Sequence, residues 1–386
     1  RERLEESGEL VETGARHADH YVVLAQQLYE QRRGGDMKGA IVGYERDEDN
    51  FRAALRFLLD HGDLAWAAEV VGGIGHLWYT TGAFREGIAW CSELFDRDLD
   101  LHDELHARVL HVYATLGSWI PTKGVEIVER EIEIRRRLSD PERLAAALNN
   151  LGNMLSDLGR PALAEGHLRE SIELFHAAGE SASLSFSSLG WDALIAGQFD
   201  QARALYQEAL DEAVRHNGDY DAALARLYLA HCAFHDEHIE SARTHLEAAR
   251  DAFVALGVRP GVGYAAMVDA LLHRSQGDAG RAKALLRESL DDPDAHWYQS
   301  TAYWLLLLVA SATDDPHAAA QLIGASGRQF ASSQESQPKW VTDELDAVRT
   351  RVEEQLDDRA LAAEIAAGEA LTREQAVELG RRLLDG

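Results

Sequence analysis

Apolar residues recur at spacings of three and four along most of the chain, which is the pattern of helices with one buried face. Near the start it marks segments 14–31 and 50–61; near the end it marks segments 340–358, 360–371 and 372–384. Alternation of Val, Ile and Thr between turns is scarce, so no strand is predicted. Only 7 prolines occur in 386 residues, and Ala, Leu, Glu and Arg are abundant. The pattern predicts an all-α protein.

The same pattern returns about every 38 to 40 residues. Segment 148–175 aligns without a gap onto segment 186–213, so that Gly159 falls on Gly197. Small residues, mostly Gly and Ala, hold the same places in the other copies. Those copies lie at 73–95, 106–138, 228–253, 268–290 and 301–330. Internal repeats of this length indicate stacked helical units.

Each copy has the features of a helical hairpin. Small residues let two helices approach closely at their crossing, and a glycine at the turn can end the first helix in the left-handed conformation. Since one hairpin cannot bury its apolar face, neighbouring hairpins stack. The positions of these small residues within each copy resemble those of the tetratricopeptide (TPR) repeat, whose period is about 34 residues. We therefore predict a right-handed α-solenoid (α/α superhelix) of about seven TPR-like hairpins over 63–335, between an N-terminal helical segment at 1–62 and capping helices at 336–386.

Charge and cysteine content narrow the range of partners. With 38 Lys and Arg against 66 Asp and Glu, the formal net charge is −28, which repels phosphate backbones and argues against direct nucleic-acid binding. The longest apolar cluster, 302–312, is too short to span a bilayer, so no membrane contact is expected. Cys91 and Cys232 lie far apart, which favours buried, inert thiols in a reducing, cytoplasmic compartment.

Five landmarks occur in a fixed order along the chain. They are RERLEESGE with ARHADHYVVLA, ERDEDNFRAALRFLLDHGD (45–63), HLWYTTGAFREGIAWCSEL (76–94), AAQLIGASGRQF (319–330) and GEALTREQAVELG (368–380). This series resembles the C-terminal helical region of bacterial signal-transducing ATPases of the STAND (NB-ARC-like) type, found in LuxR- or SARP-associated transcriptional regulators. The resemblance covers essentially the whole chain.

The resemblance implies a sensor. In that family a TPR-like superhelix binds an inducer or a protein partner and restrains or releases an ATPase module that precedes it. The ATP-binding residues of the family lie in that module, and this sequence contains no P-loop pattern. ATP and Mg²⁺ are thus expected only for the upstream module, with no cofactor, metal or catalytic residue in this segment. Since the chain begins with Arg1, we expect it to be part of a longer protein.

The repeat register predicts which side chains face the concave groove. Rigid aromatic anchors combined with Asn and His hydrogen-bonding groups suit a peptide or small ligand. The predicted groove residues are His76, Tyr79, His111, Trp119, Asn149, Asn153, Asp157, Trp191, His231, Phe234, His235, Tyr264, Arg274 and Trp304. Asn153 resembles the asparagine with which TPR domains hold a peptide, but the accompanying lysine is missing. Ordinary packing between repeats is the alternative for the aromatic members.

Three other interpretations follow from particular residues. The chain can be a stand-alone peptide receptor or an assembly scaffold. His231, His235 and His238 share one helix face, so an enzyme with a metal at that place is a further hypothesis. The acidic run 45–50 has the composition of a cation site but lacks the spacing of a calcium loop. We interpret it as the beginning of a helix that Asp49 or Asn50 caps.

Overall fold

The computed structural model describes residues 10–97, 101–116, 121–291, 299–333 and 339–385, and every regular element in these ranges is a helix. The predicted all-α class is therefore confirmed. None of the described helices is both long and apolar enough to cross a membrane. The contacts divide the chain into two compact units, 1–150 and 151–386.

Unit 1 is built from pairs of helices joined by short turns. Its helices are α1 (Leu10–Arg33), α2 (Met37–His61), α3 (Leu64–Thr81), α4 (Phe84–Phe95), α5 (Asp103–Leu116) and α6 (Pro121–Leu138), followed by the first part of α7 (Pro141–Asp157). α3 approaches α1 closely at Gly73, where an added Cβ would lie 2.7 Å from the carbonyl oxygen of Ala25. A small residue at this crossing is what allows the approach.

Unit 2 contains the end of α7 and twelve further described helices, which again follow one another as hairpins. They are α8 (Pro161–Ala178), α9 (Ser183–Ile195), α10 (Phe199–Arg215), α11 (Asp219–His235), α12 (Ile239–Leu256), α13 (Arg259–Ser275), α14 (Ala279–Asp291), α15 (Gln299–Ala312), α16 (Pro316–Ser333), α17 (Lys339–Glu353), α18 (Asp358–Glu369) and α19 (Arg373–Asp385). Between Leu64 and Ser333 the described helices form seven consecutive hairpins, in agreement with a TPR-like stack. The boundaries predicted at 62 and 335 remain a prediction.

The predicted turn glycines have the backbone that the hairpins require. Gly159, Gly197 and Gly277 follow the first helices α7, α9 and α13 with φ of 69°, 73° and 80°. The turn after α11 has Glu237 at the same place, with φ of 58°. The left-handed conformation is thus imposed by the hairpin and not by the residue type, and Glu237 adopts it at a steric cost that glycine avoids.

The helix beginning predicted at Asp49 or Asn50 was wrong. α2 begins at Met37, where the Asp36 side chain accepts a hydrogen bond from the Gly39 amide at 2.9 Å. It continues through the acidic run with a kink at Asp47, whose φ and ψ are −118° and 16°. Asp47 there accepts hydrogen bonds from Tyr21 and Asn50, at 3.0 and 3.2 Å. Asp47 therefore stabilises a bend inside a helix.

The C-terminal helices are capped and anchored by specific hydrogen bonds. Thr372 and Gln375 form a capping box ahead of α19: the Thr372 amide donates to Gln375 Oε1 at 2.8 Å, and the Gln375 amide donates to Thr372 Oγ1 at 3.2 Å. Arg351 of α17 donates to the carbonyl oxygens of Ala310 and Ser311, at 2.5 and 2.7 Å, and so caps the end of α15. Such carbonyls have no partner within their own helix.

Candidate ligand-binding faces

The predicted groove residues are divided between the two units. His76, Tyr79, His111 and Asn149 belong to unit 1, and Asn153, Asp157, Trp191, His231, Phe234, His235, Tyr264, Arg274 and Trp304 belong to unit 2. Trp119 lies outside the described residues. In the part of α7 that belongs to unit 2, the side chains of Asn153 and Asp157 are four residues apart and share one helix face.

In unit 1, His76 is a half-buried, neutral imidazole. Its ring centroid lies 5.6 Å from that of Tyr79. Desolvation, followed by the electrostatic effects of Arg32 and His111, holds the pKa of His76 well below its usual value. At pH 7 this side chain can donate and accept hydrogen bonds, but it does not supply a positive charge.

His111 is part of a buried ionic network. Its Nδ1 lies 3.1 Å from Oε1 of Glu131, which is fully buried. Arg135, only 2% exposed, reaches the same carboxylate at 3.7 Å and also bonds Glu104 at 2.8 Å. Removing one member of such a network leaves its partner as an uncompensated buried charge, which is strongly destabilising. The His111 contact is thus structural as it stands.

In unit 2, four aromatic rings form a closed group that we call the aromatic box: Trp191, Tyr228, Tyr264 and Trp304. Going round the box, the distances between ring centroids are 5.8, 6.3, 6.2 and 6.2 Å, and the planes are tilted by 36° to 67°. Each ring comes from the first helix of a successive hairpin, α9, α11, α13 or α15. The last ring, Trp304, lies as close to the first as to its other neighbour, so the four rings form a closed group.

The sequence reasoning missed Tyr228. It follows Trp191 by 37 residues and precedes Tyr264 by 36, and Trp304 comes 40 residues later. An aromatic residue therefore recurs in the first helix at nearly the repeat period, and this recurrence was the signal that identifies the set. The floor of the box consists of Tyr264 and Trp304, each 5% exposed, whereas Trp191 and Tyr228 are half-buried.

Buried polar groups adjoin the box. Tyr206 is fully buried and its ring stacks on that of Tyr228 at 4.9 Å. Among the described residues the hydroxyls of Tyr206 and Tyr264 have no hydrogen-bond partner. Desolvation, and then the neighbouring acidic groups of Tyr228 and Asp192, among others, hold the pKa of Tyr206 well above its usual value, so the hydroxyl stays protonated.

Asp192 is a carboxylate in the same surroundings. It follows Trp191 on α9 and accepts a hydrogen bond from Ser156 Oγ at 2.9 Å. Desolvation raises the pKa of Asp192 to about 6, against the stabilising effect of the Ser156 hydrogen bond. The carboxylate is consequently ionised at pH 7 but poorly solvated, the condition in which a cationic partner is favourable.

The three histidines of α11 and its turn do not form a metal site. His231 is fully buried, and desolvation lowers its pKa to about 3. The His235 ring lies between those of His231 and Phe199, 5.2 and 4.6 Å away, and meets Phe234 edge-on. His238 is exposed at the beginning of α12. No group of three or more His, Cys, Asp or Glu side chains in the described ranges is placed to hold a metal ion.

Arg274 of α13 connects its own helix to both α15 and α17. Its Nη1 and Nη2 bond the two carboxylate oxygens of Glu344, at 2.7 and 2.6 Å, and Nη1 also bonds Ser311 Oγ at 2.7 Å. A bidentate pair of this kind is among the stronger polar contacts in proteins. Arg274 therefore positions α17 beside α13 and α15.

The predicted thiols are confirmed as buried. Cys91 and Cys232 are both fully inaccessible, and desolvation raises the pKa of Cys232 to about 12. Neither sulfur is a reactive thiolate at neutral pH.

Comparison with known proteins supports the repeat assignment. The tetratricopeptide repeat family model matches residues 143–212. Two solved structures have similar folds. One is a Rap protein complexed with Competence and Sporulation Factor, with a TM-score of 0.54, 11% identity and coverage of 88% of this chain and 100% of the other. The second is the Rap conjugation gene regulator of plasmid pLS20 in complex with the Phr* peptide, with a TM-score of 0.53, 12% identity and coverage of 88% of this chain and 97% of the other. At these identities the likeness concerns the fold alone.

The sequence relatives carry the names of transcriptional regulators. Proteins of Mycobacterium tuberculosis and Mycobacterium bovis named as HTH-type transcriptional regulators are 27% identical to this chain over 161 residues. The match covers 39% of this chain and 18% of each relative. A STAND protein with a tetratricopeptide repeat sensor from Pyrococcus horikoshii is also similar, with a TM-score of 0.41, 15% identity and coverage of 93% of this chain and 55% of the other. The helical hairpins and the family match at residues 143–212 make this chain a TPR-type helical repeat protein, and part of it is similar to proteins named as HTH-type transcriptional regulators, in agreement with its sequence landmarks.

Proposed function

We propose that this chain is the sensor and interaction region of a bacterial ATPase-coupled transcriptional regulator. It binds a ligand or a protein partner on the inner face of its hairpins, without catalysis, and so controls the NTPase module of the parent protein in the cytoplasm. The observation that carries the proposal is the similarity to HTH-type transcriptional regulators in a chain built of TPR-type hairpins. Because the match covers 18% of those relatives, the other modules of the parent are part of the proposal.

The geometry supports binding more than chemistry. Unit 2 brings together aromatic rings, two buried hydroxyls and a carboxylate from neighbouring helices, the combination of rigid anchors and hydrogen-bonding groups that ligand sites use. A ligand that contacts several inner helices favours one curvature of the stack over another. The stack can then pass the difference to a neighbouring module.

The test is a reconstitution. We would purify this chain and the parent's ATPase module separately and measure ATP hydrolysis as the chain is added, with an unrelated acidic TPR protein as control. We expect binding and a change in the hydrolysis rate that the control does not produce. An ATPase that neither binds the chain nor responds to it would exclude the proposal.

A second candidate is a stand-alone peptide receptor. It is favoured by the two Rap structures, which this fold covers over 97% to 100% of their length and which are described as complexes with a peptide or a signalling factor. The coding sequence ahead of Arg1 separates the two proposals. A P-loop and a winged helix there support the sensor region, and a start codon close to Arg1 supports the receptor.

A further inference from the structure

The aromatic box has the dimensions of a cation-binding cage. Its four sides are close to 6 Å, so in a square arrangement each ring centroid lies about 4 Å from the middle, inside the ~6 Å over which a cation is attracted to a ring face. The rings come from four different helices, and Trp304 lies as close to Trp191 as to Tyr264, at 6.2 Å. The four rings are therefore a closed group and not a row of stacked residues.

The polar groups around the box lack the partners that a cation can supply. The buried hydroxyls of Tyr206 and Tyr264 have no hydrogen-bond partner among the described residues, although buried polar side chains nearly always have one. Their oxygens can accept N–H bonds. The Asp192 carboxylate receives one hydrogen bond, from Ser156, and has further acceptor capacity.

From this combination we infer that the aromatic box of Trp191, Tyr228, Tyr264 and Trp304 binds a protonated amine or guanidinium group. The ring faces attract positive charge, the hydroxyl oxygens accept its N–H bonds, and Asp192 neutralises it. An apolar ligand would leave the hydroxyls unsatisfied, and an anion would be repelled by the ring faces, by Asp192 and by a chain of net charge −28. The inference rests on the proposed function and specifies the ligand class of that inner face.

The four rings of the box differ in their exposure to solvent. Trp191 and Tyr228 are half-buried, whereas Tyr264 and Trp304 are almost completely covered. A cation therefore enters past Trp191 and Tyr228. The cationic group can belong to a free small molecule or to an arginine or lysine side chain of a peptide, and the experiment distinguishes these sources.

The experiment compares charged probes with neutral isosteres on the unmodified chain. The probes are arginine amide and a capped hexapeptide of five alanines and one arginine, and the isosteres contain citrulline in place of arginine. Tryptophan fluorescence and calorimetry should show binding of an arginine probe at least tenfold tighter than binding of its citrulline counterpart. Preference for the peptide identifies a peptide source, and equal affinity for both arginine probes identifies a small molecule.

Matched variants locate the site. Trp191→Leu and Asp192→Asn should each weaken arginine binding about tenfold or more. Phe186→Leu should not, because Phe186 is a half-buried aromatic of the same helix that lies outside the box. Circular dichroism confirms that each variant is folded. If Trp191→Leu does not fold, the comparison of arginine with citrulline probes on the unmodified chain still tests whether the chain binds a cationic group.

Two results would overturn the inference: no arginine binding at millimolar probe, or equal affinity for arginine and citrulline. Failure of the proposed function is distinguishable. A chain that regulates the ATPase but ignores arginine probes refutes the box assignment alone. A chain that binds arginine through the box but leaves ATP hydrolysis unchanged refutes the sensor role alone.

Discussion

Glu237 shows how the hairpin geometry acts on a single residue. It has φ of 58° at a turn where the neighbouring hairpins have glycine. The left-handed backbone costs a non-glycine residue about 1–2 kcal/mol, while glycine loses about 0.5–1 kcal/mol in additional chain entropy. We expect Glu237→Gly to raise the free energy of unfolding by about 0.5–1 kcal/mol in urea titrations. Gly197→Ala, at φ of 73° with open space around it, should lower it. A lower free energy of unfolding in both variants would contradict the conclusion that the backbone at Glu237 is strained.

Asp192 makes stability depend on pH. Because its pKa is raised from 3.8 to about 6 in the folded chain, the folded state holds a proton that the unfolded state releases, and stability falls as the pH rises between these values. Asp192→Asn keeps an acceptor for Ser156. The Asp192→Asn substitution should raise the free energy of unfolding by about 2 kcal/mol at pH 7 and change it little at pH 4, as measured by urea unfolding. Asp211→Asn, an exposed control, should change little at either pH. Equal gains for Asp192→Asn at both pH values would show that desolvation is not the cause.

The sequence predicted the helix on which each aromatic residue lies, but not the contacts between them. The repeat register assigned Trp191, Tyr264 and Trp304 to first helices because helical periodicity is local. It did not predict that Trp191 and Trp304, 113 residues apart, would lie 6.2 Å from each other. That contact depends on small rotations between hairpins that add up over three repeats. No local pattern encodes such a sum.

At the scale of elements, two glycines distinguish the effect of packing between helices from the effect of intrinsic helix propensity. An added Cβ at Gly190 would lie 2.7 Å from the Tyr206 ring at the crossing of α9 and α10, whereas Gly166 on the exposed face of α8 has nothing within 4 Å. Gly190→Ala should therefore destabilise by about 1–3 kcal/mol. Gly166→Ala should stabilise by about 0.5–1 kcal/mol, because alanine favours a helix. Thermal unfolding checks both substitutions. If Gly190→Ala stabilised the protein, the space between α9 and α10 at this crossing would have to be wider than the structure shows.

The attachment of α17 is a second test at this scale. Arg274 and Glu344 join α13 to α17 through two hydrogen bonds, and the Glu344 side chain is 14% exposed. A double-mutant cycle with Arg274→Met and Glu344→Gln should give a coupling of about 1–2 kcal/mol, and amide exchange in α17 should accelerate in both single variants. Lys339 and Asp343 form a matched exposed pair on the same helix, and their coupling should be about 0.5 kcal/mol or less. Equal couplings would mean that the Arg274 pair does not anchor the helix.

Helix ends were predicted well where a cap is local and poorly where packing decides. Thr372 and Gln375 mark the beginning of α19 because both hydrogen bonds of the capping box lie within four residues. In α2, Asp47 and Asn50 have cap-like residue types but sit at a kink within a continuous helix. There Tyr21 of α1 supplies a hydrogen bond to Asp47, and contacts from another helix are not visible in the local sequence.

At the scale of the whole molecule, the net charge of −28 should make stability rise with salt. Like charges oppose compactness, and raising NaCl from about 0.01 to 1 M shortens the screening length from about 30 to 3 Å. Exposed ion pairs, such as Arg56 with Glu93, lose strength as well, but each contributes about 1 kcal/mol or less. Relief of the excess repulsion should dominate and raise the melting temperature by about 3 °C or more. KCl should give the same curve, because screening depends on ionic strength and not on the identity of the ion. A melting temperature that falls with salt would show that networks such as Arg52 with Glu48 and Glu86 outweigh the repulsion.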